Sequence, residues 1–238
     1  MCALKKYSTL LIDADNTLLD FNLAERLAIT AACEKFGITP DDEKVALYSK
    51  INLSLWKRHE KGEVTKDEIK LFRFMEFIKA VGSSADPREM GKYYEATLAT
   101  QGHLLDGAID FLKSIRPYYK TYIVTNGLAS VQHSRLELSG ILPYFDDLFI
   151  SEEYGSQKPE RLFFDRISEK IPEKDKSRIC VIGDSMSSDI LFGINAGIDT
   201  CYFAPKGAPA PYSPTLRAES FEELIKLFDR TKYLGTMA

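Results

Sequence analysis

The stretch that most constrains this chain is a short apolar run that stops at two acids. Ser8-Thr9-Leu10-Leu11-Ile12 leads directly into Asp13-Ala14-Asp15-Asn16-Thr17-Leu18-Leu19. Such a run predicts a buried strand, and its abrupt end predicts that Asp13 and Asp15 stand at the strand's C-terminal tip. Open parallel α/β sheets bind their ligands at that edge. Asp also caps helices and starts turns. The pair therefore gains weight only if the rest of the chain supplies partners for two carboxylates.

The remainder of the pattern says what kind of sheet this is. From Leu104 onward, strand-like and helix-like segments alternate: helix 108–115, strand 121–124 ending in Thr125-Asn126-Gly127, helix 130–139, strand 148–150, helix 162–171, strand 179–182 ending in Gly183-Asp184-Ser185, a helix to Gly197, and strand 200–203. Ser220-Phe221-Glu222-Glu223 caps a last helix. This alternation implies βαβ units and a parallel sheet with helices on both faces.

Residues 20–100 break the alternation and read as helical throughout. Gly37 is a C-terminal stop. Thr39-Pro40-Asp41-Asp42 reads as an N-cap, a proline at the first helical position and an acidic first turn. Thr65-Lys66-Asp67-Glu68 is a capping box. The fold class predicted is α/β: a Rossmann-like parallel sheet core, residues 1–19 and 101–238, with an inserted all-helical cap domain, residues 20–100. Disorder is expected only in the last few residues.

Charge and cysteine usage exclude several classes. A net charge of -4 provides no global basic field for a nucleic acid polymer. No apolar run approaches the roughly 18 residues that span a membrane. Cys2, Cys33, Cys180 and Cys201 form no C-x-x-C and no Cys/His cluster, and the N-terminal stretch has no secretory apolar region. A reducing cytoplasmic setting is the expectation.

Three strands thus end in Asp13/Asp15, Thr125/Asn126 and Asp184, and Lys158 lies in the loop Gly155-Ser156-Gln157-Lys158-Pro159. Topology would bring these to one edge. Asp13, Asp184 and Asp189 would make an oxygen-rich cluster suited to Mg²⁺, which takes a few carboxylates with water and phosphate. Lys158, Thr125 and Asn126 suit the oxygens of a phosphate group. An aspartate can also attack phosphorus covalently, and a second carboxylate can move the proton.

In these four motifs, taken in order, the chain resembles phosphatases of the haloacid dehalogenase superfamily. They are Asp13-Ala14-Asp15-Asn16-Thr17, Thr125, Lys158, and Gly183-Asp184-Ser185-Met186-Ser187-Ser188-Asp189. The resemblance implies that Asp13 is the nucleophile of an aspartyl-phosphate mechanism and that Asp15 is the general acid and base. It implies phosphate binding by Thr125, Asn126 and Lys158. Mg²⁺ would be held by Asp13, Asp184 and the backbone carbonyl of Asp15, with Asp189 in support, through water or by fixing Lys158. The dehalogenases of the superfamily lack a carboxylate at the position of Asp15, which disfavours dehalogenation.

The stretches Asn52-Leu53-Ser54-Leu55-Trp56, Gly62-Glu63-Val64-Thr65, Asn126-Gly127 and Ile150-Ser151-Glu152-Glu153 are similar to the noncanonical pyrimidine nucleotidases. This similarity implies a 5'-nucleotidase for pyrimidine nucleoside monophosphates, with Asn52 and Trp56 as cap specificity residues. A sugar-phosphate or phosphoglycolate phosphatase is the alternative within the class. A phosphomutase or a non-catalytic binding module on the same fold are the remaining readings. Plainer roles compete at single positions: Trp56 as helix core, Lys57, Arg58 and Arg73 as solvated surface, Phe21, Phe72, Phe74 and Phe77 as packing. The three histidines have no metal-ligand spacing, and Arg135 has no assigned role.

Overall fold

A computed structural model describes residues 7–229. Cys2, the N-terminal stretch and the last few residues discussed above lie outside them. The chain forms two compact units. One comprises the residues up to Asp20, Leu104–Ala129 and everything from Ser139 on; the other comprises Phe21–His103 and Ser130–Leu138.

The elements follow in the order β1 (Thr9–Ile12), α1 (Phe21–Lys35), α2 (Asp42–Glu60), α3 (Lys66–Ala80), α4 (Pro87–Ala99), α5 (Ala108–Ile115), β2 (Lys120–Thr125) and α6 (Ala129–Leu138). They continue with β3 (Asp147–Ile150), α7 (Ser151–Tyr154), α8 (Arg161–Ser168), β4 (Ile179–Gly183), α9 (Leu191–Ala196), β5 (Asp199–Phe203), β6 (Leu216–Ala218) and α10 (Phe221–Phe228). The strands make one parallel sheet in the order β3-β2-β1-β4-β5-β6.

The strands of this first unit are apolar on both faces because both faces are covered. On one side Leu11, Tyr122, Val124, Phe149 and Val181 pack with Phe163, Phe164, Ile167 of α8 and Phe192 of α9. On the other, α5 packs against α10, with Phe111 6.0 Å from Phe221 between ring centroids. Full burial of such a side chain contributes about 1.5–3 kcal/mol. The edge strand β6 escaped sequence reading because three residues with Arg217 at the centre carry no apolar run. The helix predicted to reach Ile171 ends at Ser168.

The second unit is helical, as its pattern predicts. α1 packs chiefly on α4 and α2 on α3. Small residues on α1, Ala24, Ala28 and Ala32, are buried, and short side chains there let helices approach closely. Tyr48, Phe74, Phe77 and Tyr94 form the aromatic core, with centroids 5.1 Å apart for Tyr48 and Tyr94 and 5.4 Å for Tyr48 and Phe74. The capping box at Thr65 is present, its hydroxyl accepting from Glu68 N–H and the Glu68 carboxylate from Thr65 N–H. The cap of α2 is Asp41 rather than Thr39, its carboxylate accepting from Lys44 N–H at 2.8 Å. A carboxylate at that point satisfies an orphan donor and faces the positive end of the helix dipole.

Arg73, expected on the solvated surface, is instead 2% exposed. It shares the buried stripe of Ile69 and Phe77, four residues to either side. Its guanidinium donates to Glu95 Oε1 at 2.8 Å and to Asn52 Oδ1 at 3.4 Å, and it lies 4.8 Å from the Tyr94 ring centroid. Glu25, also buried, accepts from Asn52 Nδ2 at 2.7 Å and from Ser49 Oγ at 2.5 Å. Residues 130–138, expected with the sheet, group with the helices because Arg135 and Ser134 hold them there. Arg135 Nε donates to Gln101 O at 2.9 Å, its guanidinium covers the Phe21 ring, and Ser134 Oγ donates to Ala99 O at 2.7 Å.

Candidate active site

Register brings three strand ends level within the sheet unit. Ile12 pairs with Ile123 on one side and with Ile182 on the other. β2 and β3 extend the sheet to one side of β1 and β4 to the other, so the crevice at the switch of strand order opens beside Asp13. Asp13 N–H continues the ladder by one bond, to Ile182 O at 2.9 Å. The chain then turns tightly: Leu18 and Leu19 N–H both donate to Ala14 O, at 2.9 and 2.8 Å, and Asn16 N–H donates to Leu19 O at 2.8 Å. Asn16 takes φ of +59°, a conformation that Asn accepts more readily than most residues.

Lys158 is the hub. Its ammonium, 1% exposed, donates to Asp13 Oδ1 at 2.5 Å, Asp189 Oδ1 at 2.6 Å and Val124 O at 2.7 Å. An ammonium has three protons, and three acceptors take them. A phosphoryl group arriving here would meet the charge of Lys158 rather than a spare donor. Asp189 is held from its other oxygen as well, Oδ2 accepting from Ser185 N–H at 3.0 Å. It rides on a single π-helical turn, Met186–Ile190, whose start is capped by Ser185 Oγ accepting from Ser188 N–H at 3.2 Å. Turns of that kind recur at functional sites. Gly183 makes the arrangement fit, because a Cβ there would collide with the Asp189 carboxyl.

Thr125 ends β2 buried, its Oγ1 accepting from Gly127 N–H at 3.1 Å. Asn126, expected on phosphate, has its carboxamide on the main chain of Lys158: Nδ2 donates to Lys158 O at 2.8 Å and Oδ1 accepts from Lys158 N–H at 2.9 Å. In the helical unit, Asn52 is 2% exposed and spent on Glu25 and Arg73. Trp56 is half-buried on the cluster of Leu55, Val64 and Ile69, edge-on to His59 at 5.7 Å.

The electrostatics are those of crowded carboxyls. Burial, then the charge of Asp189, push the Asp13 carboxyl up to about 7, against the opposing pull of Lys158. Burial, then Asp13, raise Asp184 well above the usual carboxylate range. Burial alone would lower Lys158, but the charges of Asp13 and Asp189 outweigh it and hold it raised.

The donor set fits a hard divalent cation. Side-chain oxygens of Asp13, Asp184 and Asp189 lie within 4.8 Å of one another. Among the described residues no hydrogen bond reaches the Asp184 carboxylate, and a second positive charge beside Lys158 would favour the ionised forms of Asp13 and Asp184. The Asp15 carboxylate is not one of the three, although its charge also raises Asp13. Sequence reading missed the Val124 carbonyl and the Ser185 N–H, since backbone groups leave no side-chain signal.

Comparison with known proteins places these residues in context. The family model of haloacid dehalogenase-like hydrolases matches residues 7–197. The pyrimidine 5'-nucleotidase PynA of Streptococcus pneumoniae is 37% identical over 227 residues, 94% of this chain and 96% of that protein. The pyrimidine 5'-nucleotidase YjjG of Escherichia coli is 32% identical over 224 residues, 93% of this chain and 98% of that protein. The crystal structure of the HAD-hydrolase YfnB of Bacillus subtilis bound to magnesium superposes with a TM-score of 0.89 at 38% identity, covering 94% of this chain and 99% of that one.

Proposed function

This chain belongs to the haloacid dehalogenase-like hydrolases, and from that membership we propose that it is a Mg²⁺-dependent phosphomonoesterase acting on pyrimidine nucleoside 5'-monophosphates. The observation that carries the chemistry is the bond from Lys158 Nζ to Asp13 Oδ1, 2.5 Å long at the end of β1. It sets a buried carboxylate beside a fixed cation at the edge where a phosphate ester can enter.

In this reading Asp13 attacks phosphorus and forms an aspartyl-phosphate, while the leaving alkoxide takes a proton from the Asp15 carboxyl. Asp15 then removes a proton from water, which attacks the aspartyl-phosphate and frees Asp13. Lys158 offsets the charge of the phosphoryl group, and Thr125 binds one of its oxygens. Mg²⁺, held by Asp13, Asp184 and the Asp15 backbone carbonyl, would neutralise charge on the phosphoryl oxygens. Asp189 holds Lys158 in place.

The choice of a nucleotide is supported by the two pyrimidine 5'-nucleotidases, whose similarity extends across the helical unit as well as the sheet. The test is phosphate release by the purified protein, with Mg²⁺ and with chelator, from pyrimidine and purine 5'-monophosphates, sugar phosphates and phosphoglycolate. Metal-dependent release that is fastest from UMP, dUMP or dTMP is expected. Preference for a sugar phosphate would overturn the substrate, and an Asp13→Asn protein as active as the original would overturn the mechanism.

A further inference from the structure

We infer that Asn126 is a positioning residue that acts through Lys158, by holding the backbone from which the ammonium reaches into the site. This rests on the phosphatase reading above and gives Asn126 a role other than phosphate binding.

Lys158 lies in a loop between α7 and α8, outside any strand. A loop residue has no ladder to fix its backbone, yet this one must deliver a charge to two carboxylates from a fully buried position. The Asn126 carboxamide takes the place of a strand partner. It presents a donor and an acceptor side by side, and Lys158 engages both, its carbonyl accepting from Nδ2 at 2.8 Å and its N–H donating to Oδ1 at 2.9 Å. The neighbouring Val124 carbonyl, on the same strand end, accepts from Nζ at 2.7 Å. The end of β2 therefore grips Lys158 at both ends, by its main chain and by its ammonium. Between these grips the side chain is set to span Asp13 and Asp189, 2.5 and 2.6 Å from Nζ.

The residue type follows from this geometry. A paired donor and acceptor on one short planar group is what the N–H and C=O of a single residue demand of their partner. Asp in this place would lose the donor, and Ser could not satisfy both groups. The Asn126 main chain remains at the phosphate edge, while its side chain is committed to the lysine.

The test is a set of four proteins: the original, Asn126→Ala, Lys158→Ala and the double variant, assayed with p-nitrophenyl phosphate and Mg²⁺ and checked for equal melting temperatures. Asn126→Ala is expected to lower kcat about tenfold or more with KM changed less than about threefold, a small displacement of a reacting group being costly. In the Lys158→Ala background the same change is expected to cost nothing further. Equal fractional losses in both backgrounds would overturn the inference, because Asn126 would then act independently of Lys158. A crystal structure of Asn126→Ala decides the matter without activity. Lys158 Nζ displaced from Asp13 or Asp189 is expected; Nζ unmoved would overturn the inference. This readout holds even if the protein proves inactive on every phosphate ester, an outcome that would sink the functional reading alone.

Discussion

The carboxyl of Asp189 occupies the space that a Cβ on Gly183 would fill. Gly183 is the last residue of β4, and its neighbour in the ladder, Tyr202, fixes its place in the sheet. Asp189 is in turn pinned by Lys158 Nζ and Ser185 N–H. A Cβ at Gly183 would therefore have to displace one of them.

Gly183→Ala should therefore push Asp189 off Lys158. The expected outcome is a loss of about 1–3 kcal/mol in folding free energy together with a fall in phosphatase activity of about 100-fold. Urea denaturation and phosphate release measure the two. A variant that keeps full activity would show that Asp189 need not stay where it is.

Magnesium should stabilise the folded protein through Asp184. A ligand that binds only the native state adds about 2.7 kcal/mol at 100 times its dissociation constant. The melting temperature of the original protein should rise as Mg²⁺ is added, and that of Asp184→Asn should rise far less. Parallel curves for the two proteins in a thermal-shift titration would place the cation elsewhere.

Asp146 predicts an acid-side dependence. Burial alone would raise its carboxyl, but Lys120, the Thr121 N–H and Arg116 hold it below the usual range, with Arg116 Nη1 at 2.6 Å and Lys120 Nζ at 2.9 Å. A lowered folded pKa contributes stability above the unfolded value, about 3.9, and that stability is lost as pH falls through the folded one. Asp146→Asn should cost about 1 kcal/mol at pH 7, a difference that shrinks toward zero as the pH is lowered below about 4. Denaturation at pH 7 and pH 3 reads it.

Glu25 predicts the opposite sign. Burial raises its carboxyl, and the bonds from Ser49 and Asn52 and the charge of Arg73 only partly offset this. A raised folded pKa contributes stability below the unfolded value that is lost as pH rises through the folded one. Glu25→Gln keeps the size and should gain on the original, by about 1 kcal/mol at most, as the pH is raised from below the unfolded value through the folded one. Arg73→Met should cost about 3 kcal/mol, since it leaves Glu25 and Glu95 without their cation. Equal costs for the two variants in denaturation would deny the network its asymmetry.

Much of this protein was legible in its residue order. Local pattern alone determined that an apolar strand ends in Asp13 and Asp15, that strands and helices alternate after Leu104, that residues 20–100 are helical, and that Thr65 opens a helix. Each depends on residues a few positions apart, where periodicity and capping chemistry act directly. The four motifs likewise carry their chemistry in residue type. What the tertiary structure decided depends on partners distant in sequence. Asn126 meets the main chain of Lys158 32 positions away, and Lys158 meets Asp13 across 145. Arg73 is buried because Glu95 and Asn52 come to it from other helices, and Arg135 draws residues 130–138 to the helical unit through Gln101 and Phe21. Hydrogen bonds and charge act over a few ångströms of space whatever the separation along the chain, so only the folded molecule reveals which polar groups satisfy one another.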